Sequence, residues 1–214
     1  MKILKPSVEF MTPVDGAAIL EQVERAGRVC YKSEHRIGEG TAETFVRNLI
    51  KRGHEAVLEH AGLTVKFICD RGVSHEIVRH RMASYCQEST RYCNYANDVF
   101  GGEMTVIEPV YLEPYTKGHE LWWAACKAAE DAYFALLDWG CTPQEARAVL
   151  PNSLKTEVVM TANLREWRHF LKLRCDRASH PQMREVALML LEKLHEAVPV
   201  VFDDLYGAFH VVGS

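Results

Sequence analysis

Several motifs that would indicate a metal site or a familiar nucleotide site are missing from this chain of 214 residues. The seven cysteines include no Cys-x-x-Cys pair, so neither a structural zinc site nor a thioredoxin-like redox motif is predicted. No Gly-x-Gly-x-x-Gly fingerprint and no Walker-type loop occur, which excludes those two ways of holding a nucleotide. The odd number and wide scatter of the cysteines favour unpaired thiols in a reducing cytosol.

A basic excess and long apolar runs are also lacking. The net charge of −4 argues against a general nucleic-acid binder. No apolar run approaches the ~18 residues of a membrane span, and the N-terminus lacks the apolar core of a signal peptide. A composition of 48% hydrophobic and 25% charged residues is ordinary for a globular protein. We therefore expect one cytoplasmic domain over residues 1–214, with neither a membrane nor a nucleic acid as partner.

Two His-Glu pairs begin like the zinc-binding helix of a metalloprotease. That site needs a second histidine four residues after the first, on the same helix face. After His54 the next candidate is His60, and after His75 it is His80. With either spacing the two histidines would point in different directions from the helix and could not bind the same ion. A metal-dependent hydrolase is disfavoured, and no metal is expected.

Helix and strand patterns follow one another without strict βαβ alternation. This order predicts an α+β fold in which helices flank a central, twisted, mainly antiparallel sheet. The expected strands cover 8–12, 61–69, 104–110 and 154–160. The expected helices are capped by Asp15, Thr41, Ser74, Thr142 and Asn163, with a long helix at about 117–139 and a last long helix opened by Pro181. An irregular loop is expected at 84–98.

The most informative segment carries Arg79, His80 and Arg81 in a row, followed by Ser89 and Arg91. Closely packed guanidiniums repel one another unless an anion neutralises them, and their planar donors suit phosphate and carboxylate oxygens. A solvated, salt-bridged helix face is the alternative. Apolar residues on both sides of the cluster and the acidic net charge favour a phosphorylated ligand. No base is visibly paired with Ser89, so we expect a phosphate-directed hydroxyl rather than a nucleophile.

A second basic cluster lies on the helix that Asn163 begins. Its members are Arg165, Arg168, His169, Lys172, Arg174 and Arg177, opposite a buried stripe of Leu164, Trp167 and Leu171. Arg165 and His169 share one helix face because they are four residues apart. Such a helix is typical of a surface with an ordinary basic face, and equally of one side of an extended ligand site. Its pairing with the Arg-His-Arg segment favours the ligand site.

The pattern Arg79-His80-Arg81, seven residues and then Ser89 resembles the signature of the flavin-dependent thymidylate synthases, the ThyX family. Further segments match the same family in order and at similar separations, over roughly residues 30–185. They are Gly53-His54-Glu55 with Leu58-Glu59-His60, Ala146 to Pro151, Asn163-Leu164-Arg165, His169, and Leu173-Arg174. The alternative from another class is a phosphate- or RNA-binding module that uses the same two arginine clusters.

The resemblance implies reductive methylation of dUMP to dTMP without an enzymic cysteine nucleophile. Methylenetetrahydrofolate would donate the carbon, and NADPH would be the reductant through FAD. The residues implied for FAD are Arg79, His80, Arg81, Gln87, Asn163, Arg165 and His169, with His54 near the flavin and folate. Those implied for dUMP are Glu76, Arg79, Gln87, Glu88, Ser89, Arg91, Arg147 and Arg174. Arg174 is the expected catalytic residue, because a fixed cation can stabilise negative charge that develops on the pyrimidine.

Two positions depart from the family pattern. Many members have an amide where this chain has Glu76 and an acid where it has Gln87, and here Glu88 follows.

The resemblance also implies a homotetramer whose active sites lie at subunit interfaces. The adjacent Trp122 and Trp123 of the long helix are expected in the core or at a subunit contact.

Overall fold

The structure is a computed structural model that describes residues 1–97 and 101–210. By its internal contacts the chain divides into two compact units. The first unit comprises Met1–Ser7, Phe67–Arg79 and Tyr85–Val159. The second comprises Val8–Lys66, His80–Ser84 and the chain from Met160 onward.

Helices and strands are mixed along the chain, as expected for an α+β protein. The helices are α1 Gly16–Val29, α2 Thr41–Lys51, α3 Arg71–Ile77, α4 Lys117–Asp138, α5 Pro143–Ala146, α6 Leu164–Arg174, α7 Pro181–Ala197 and α8 Pro199–His210. The strands are β1 Lys2–Leu4, β2 Ser7–Phe10, β3 Gly62–Asp70, β4 Ala83–Gln87, β5 Thr105–Ile107 and β6 Lys155–Asn163. No helix among the described residues is long and apolar enough to cross a membrane.

The strands form two sheets. The larger one is antiparallel, with the strand order β2-β3-β6-β4. In its long strands β3 and β6, buried and partly exposed residues alternate, as the period of a half-buried strand requires. The smaller sheet pairs β1 with β5 in parallel, with Lys2 opposite Thr105. The predicted α+β class with a mainly antiparallel sheet is confirmed.

Each unit has its own apolar interior. In the second unit α6 buries Trp167 and Phe170 completely, and the Trp167 indole Nε1 donates to the Leu63 carbonyl at 3.2 Å. In the first unit α4 packs Cys126 and Tyr133 into a cluster of buried apolar residues. Its other members are Tyr95, Met104, Val106, Ala146 and Leu154. Trp122 packs against that cluster, whereas Trp123 is 45% exposed.

Three predicted helix caps are confirmed. The Asp15 carboxylate accepts from the Ala18 amide at 3.0 Å and begins α1. The Asn163 amide oxygen accepts from the Glu166 amide at 2.9 Å and begins α6. Thr142 caps α5 and forms a capping box with Glu145. In each case a side-chain acceptor satisfies an amide that has no partner within its helix.

Other predicted boundaries are wrong. Thr41 lies inside α2, whose N-cap is Gly40 with a left-handed φ of 73°. Asp70 caps α3 in place of Ser74, because its carboxylate accepts from the Val73 amide at 2.7 Å. That helix ends at Ile77, before the Arg-His-Arg cluster rather than within it.

Two further expectations need correction. The predicted loop at 84–98 overlaps the strand β4, and its last residue lies outside the described residues. The long helix that Pro181 opens is present as α7, but a further, shorter helix, α8, follows it and was not expected from the sequence. All seven cysteines are thiols outside any disulfide, as their scatter predicted.

Candidate active site

A cavity of about 400 Å³ opens beside the first turns of α6 in the second unit. Its lining is strongly polar: Glu55, Glu59, Met82, Asn163, Arg165, Glu166, His169 and Lys172. Three residues predicted to hold FAD, namely Asn163, Arg165 and His169, are therefore brought to one cavity. These side chains reach the cavity because α6 is amphipathic. Its apolar stripe packs into the interior of the unit, so the polar residues on its other side face the opening.

The cations at this opening are matched by carboxylates. Arg165 forms an ion pair with Glu59 at 2.5 Å, and both side chains are about half exposed. Lys172 lies 3.4 Å from Glu55. Because both pairs face solvent, an incoming anion can compete with them for the cations at little cost.

Arg168 does not belong to the basic face that the sequence suggested. Its guanidinium is almost completely buried and lies 3.1 Å from Glu55 and 2.7 Å from Asp204. The Val201 carbonyl accepts from the same guanidinium. Burial alone would lower the pKa of Arg168, but Asp204 and Glu55 outweigh it and raise the pKa above its ordinary value. Through Val201 and Asp204 this arginine connects α6 with α8, so its guanidinium is not available to a ligand.

A chain of hydrogen bonds joins the Arg-His-Arg segment to the end of α6. The His80 Nδ1 lies 3.1 Å from Glu166 Oε1. The Arg174 Nε donates to His80 Nε2, also at 3.1 Å. Burial lowers the pKa of His80, Glu166 opposes that shift, and Arg174 and His169 add to it. The predicted catalytic Arg174 and the predicted FAD residue His80 are thus direct neighbours.

The ligand atoms of His80, Glu166 and His169 lie within 4.8 Å of one another, close enough for a metal ion. A guanidinium bonded to the same imidazole repels a second cation, so the geometry does not favour this use. The expectation that the protein uses no metal stays a prediction.

A second group of predicted residues meets in the first unit. The Ser89 hydroxyl accepts from the Arg91 amide at 3.3 Å, and Arg147 Nη1 donates to the Thr90 hydroxyl at 3.3 Å. Ser89, Arg91 and Arg147 are the residues predicted for dUMP, whereas the buried Thr90, which follows Ser89 and bonds to Arg147, was not predicted. Two hydroxyls, the Arg147 guanidinium and a turn of backbone are suited to a phosphate. The Arg91 guanidinium lies 5.4 Å from the centre of the Tyr92 ring.

Gln87, which departs from the family pattern, and Glu88, the next residue, both have partners in the first unit. Gln87 Nε2 donates to the Ser74 hydroxyl at 2.9 Å and to the Thr156 hydroxyl at 3.3 Å. Glu88 is ion-paired with Lys155 at 3.0 Å, and Lys155 also binds Glu157 at 2.6 Å. Burial would lower the pKa of Lys155, but the two carboxylates prevail and raise it.

Four predicted residues remain. Glu76 is half-buried on α3, while Arg79, Arg81 and His54 are exposed. Within the described part of the chain, no side-chain hydrogen bond or ion pair holds either Arg79 or Arg81. Their assignment to FAD or dUMP therefore stays a prediction from the resemblance.

The fold and these two cation-rich groups define an α+β protein suited to phosphate-bearing ligands. The family model described as thymidylate synthase complementing protein (Thy1) matches residues 17–200. The chain belongs to this family, whose relatives carry the name flavin-dependent thymidylate synthase.

Individual relatives agree with this placement. The chain is 37% identical to the flavin-dependent thymidylate synthase of Mycolicibacterium gilvum, over 93% of this chain and 84% of that protein. It is 34% identical to that of Geobacter sulfurreducens, over 85% of this chain and 80% of that protein. A solved UMP/dUMP methylase PolB from Streptomyces cacaoi, bound with 5-Br dUMP, shares the fold with a TM-score of 0.76 and 24% identity. That likeness covers 98% of both chains.

Proposed function

We propose that the protein converts dUMP to dTMP, with methylenetetrahydrofolate as carbon donor and NADPH as reductant through FAD. The observation that carries this proposal is the cavity at the start of α6. There three side chains expected to hold FAD meet in a chain that matches the Thy1 family over most of its length. We also propose that the protein is cytoplasmic, that residues 1–214 form a single functional domain and that the chain assembles as a homotetramer.

The residues of the α6 cavity fit a phosphate-bearing cofactor. Arg165 supplies a half-exposed guanidinium, His169 an exposed imidazole, and Asn163 an amide beside the positive end of the α6 dipole. These three residues would hold FAD, together with the exposed Arg79 and Arg81. When bound, the flavin supplies the hydride chemistry, and the protein supplies binding and alignment.

For the nucleotide, the Ser89 hydroxyl with Arg91 and Arg147 is the natural phosphate site. We assign Arg174 to the pyrimidine ring. Uracil C5 is a weak nucleophile until electron density enters the ring, and a guanidinium placed at the ring would stabilise the negative charge that develops. A cation held in place before the reaction needs little reorganisation during it.

The cysteine beside Arg174 is unsuited to nucleophilic attack. Cys175 is completely buried, and burial raises the pKa of its thiol to about 12. A thiol with that pKa is protonated at neutral pH and unreactive. This supports a mechanism in which charge stabilisation by Arg174 replaces covalent activation.

Visible absorption tests the proposal directly. We expect the purified protein to bind FAD and to show a flavin spectrum that NADPH bleaches without oxygen, faster when dUMP is present. Formation of dTMP on addition of methylenetetrahydrofolate would complete the test. A colourless protein that neither binds FAD nor oxidises NADPH would contradict it and direct attention to phosphate or RNA ligands.

A further inference from the structure

Glu166, His80 and Arg174 form a continuous hydrogen-bonded line in the second unit, and no role has yet been given to Glu166. Its carboxylate lies 3.1 Å from one ring nitrogen of His80, and Arg174 Nε donates to the other at 3.1 Å. The imidazole is buried, and its ring packs at 4.8 Å from that of Phe170, centroid to centroid. The line begins at the α6 cavity, where Glu166 is part of the wall.

The direction of each hydrogen bond in this line is fixed. An arginine Nε always carries its hydrogen, so His80 Nε2 must accept. A neutral imidazole has one N–H, which therefore sits on Nδ1 and points to Glu166. The lowered pKa of the buried His80 agrees with the neutral form. Protonation would put a second N–H against the Arg174 Nε–H and break the contact.

This line constrains the Arg174 side chain at its Nε. An arginine side chain has several rotatable bonds and loses rotamer entropy when its guanidinium is fixed in one place. A hydrogen bond at Nε sets both the position and the plane of the guanidinium. Glu166 in turn sets the tautomer that makes His80 an acceptor.

We propose that Glu166, acting through His80, is a positioning residue that holds the Arg174 guanidinium ready for the nucleotide. This inference rests on the proposed function, in which Arg174 acts on the pyrimidine. His80 then serves the reaction through Arg174 rather than through a polar contact with the flavin.

The local structure separates this role from a helix-capping role for Glu166. In a capping box the third-residue carboxylate bonds back to the N-cap amide. Here only the Glu166 backbone amide takes part, through its bond to the Asn163 side chain, while the carboxylate turns to His80.

The first test measures dUMP binding to the FAD-loaded protein by the change in flavin absorption. We expect Glu166→Ala to weaken dUMP binding and to lower kcat, each by about 10- to 100-fold, because a misplaced guanidinium loses most of its effect. Glu166→Gln retains an acceptor for the Nδ1 hydrogen and should stay within about fivefold of the wild-type protein. FAD affinity should change little in either variant.

A double-mutant cycle then asks whether the effect passes through Arg174. In an Arg174→Ala background, Glu166→Ala should change dUMP affinity by no more than about twofold. Binding is the readout because it does not require turnover. If Glu166→Ala fails to fold, Glu166→Leu in both backgrounds gives the same comparison, because leucine fills a similar volume but offers no acceptor to His80 Nδ1.

Glu24 provides a matched control in the same unit. It is a buried carboxylate, 2.6 Å from Arg28 Nη2, and the Thr41 hydroxyl donates to it at 2.8 Å. Glu24→Ala removes a comparable buried acid on α1, so it should lower stability while leaving dUMP affinity and kcat unchanged.

The outcomes separate the inference from the proposed function. Wild-type affinity in Glu166→Ala, or additive losses in the double variant, overturns the positioning role while the synthase activity stands. A loss of FAD affinity alone overturns it too, because Glu166 would then act on the flavin. A wild-type protein that binds neither FAD nor dUMP overturns the proposed function and the inference together.

Discussion

Arg174 is the last residue of α6, where the helix dipole favours a cation and His80 fixes the side chain. We expect Arg174→Ala to fold and to bind FAD but to lose about 100-fold or more in kcat. The expected size follows from the loss of one fixed donor to a charge that develops in the transition state. Steady-state assays of dTMP formation, with flavin absorption as the measure of FAD binding, check this.

Arg25→Ala is the control for that variant. Arg25 is a largely exposed arginine of α1, 3.5 Å from Glu21, and its loss should leave turnover unchanged. Near-normal turnover in Arg174→Ala would remove Arg174 from the mechanism.

His80 makes stability depend on pH. Its pKa in the folded chain lies below the ordinary value of 6.5, mainly because the ring is buried. Between these two pKa values the unfolded chain binds more protons, so the free energy of unfolding falls as pH falls through that window. Above pH 6.5 the contribution is fully present. Urea unfolding at pH 8 and at pH 5.5 should therefore show a loss of stability in acid.

Replacing His80 shows how much of the stability that is lost in acid is due to its imidazole. His80→Gln should be less stable than the wild-type protein at pH 8 but should lose less on acidification, because it has no titrating ring. An equal loss in both proteins would assign the effect to other groups.

At the level of elements, α6 carries two arginine ion pairs of opposite character. Arg168 is buried against Glu55 and Asp204, whereas Arg165 pairs with Glu59 at the surface. We expect Arg168→Ala to cost about 2–3 kcal/mol of unfolding free energy. This is less than the ~3–5 kcal/mol of a fully buried pair, because Asp204 is half exposed. Urea denaturation measures the change.

Arg165→Ala is the comparison from the same helix, and we expect it to cost less than about 1 kcal/mol. Similar losses of unfolding free energy in Arg168→Ala and Arg165→Ala would mean that burial does not determine how much each ion pair stabilises the protein. The two variants also separate a structural arginine from one placed at the cavity, since only Arg165 should affect FAD binding.

Helix starts were predictable where one polar residue had no competitor. Asp15 and Asn163 each precede an apolar periodic segment, Thr142 precedes Pro143 and a capping-box Glu145, and each makes its capping contact. Ser74 failed as a cap because Asp70, four residues earlier, offers a carboxylate to the same turn. Thr41 failed because the chain turns at Gly40 in a left-handed conformation that the pattern of side chains does not reveal.

For the whole molecule, the resemblance predicts a homotetramer. Sedimentation equilibrium should then give four times the chain mass of 24.3 kDa. A tetramer can complete each active site with residues from several copies, so dilution below the dissociation range should lower specific activity. A monomer of full activity would contradict both the assembly and the shared sites.

The sequence by itself determined the class of fold, most element positions and the residues that carry charge. Hydrophobic periodicity and helix caps are local properties, and local properties can be read from neighbours in the chain. The family motifs likewise lie within short segments, and the four-residue spacing of Arg165 and His169 predicts that they share one face of α6.

Only the tertiary structure decided which charges are available to a ligand. Arg168 and Arg165 look alike in the sequence. In the structure Arg168 is buried and paired with Glu55 and Asp204, whereas Arg165 lies at the cavity. Glu166 and His80 are 86 residues apart, so no pattern along the chain relates them. Burial and hydrogen-bond partners depend on contacts between distant segments, and these contacts fix the tautomer of His80 and the position of Arg174.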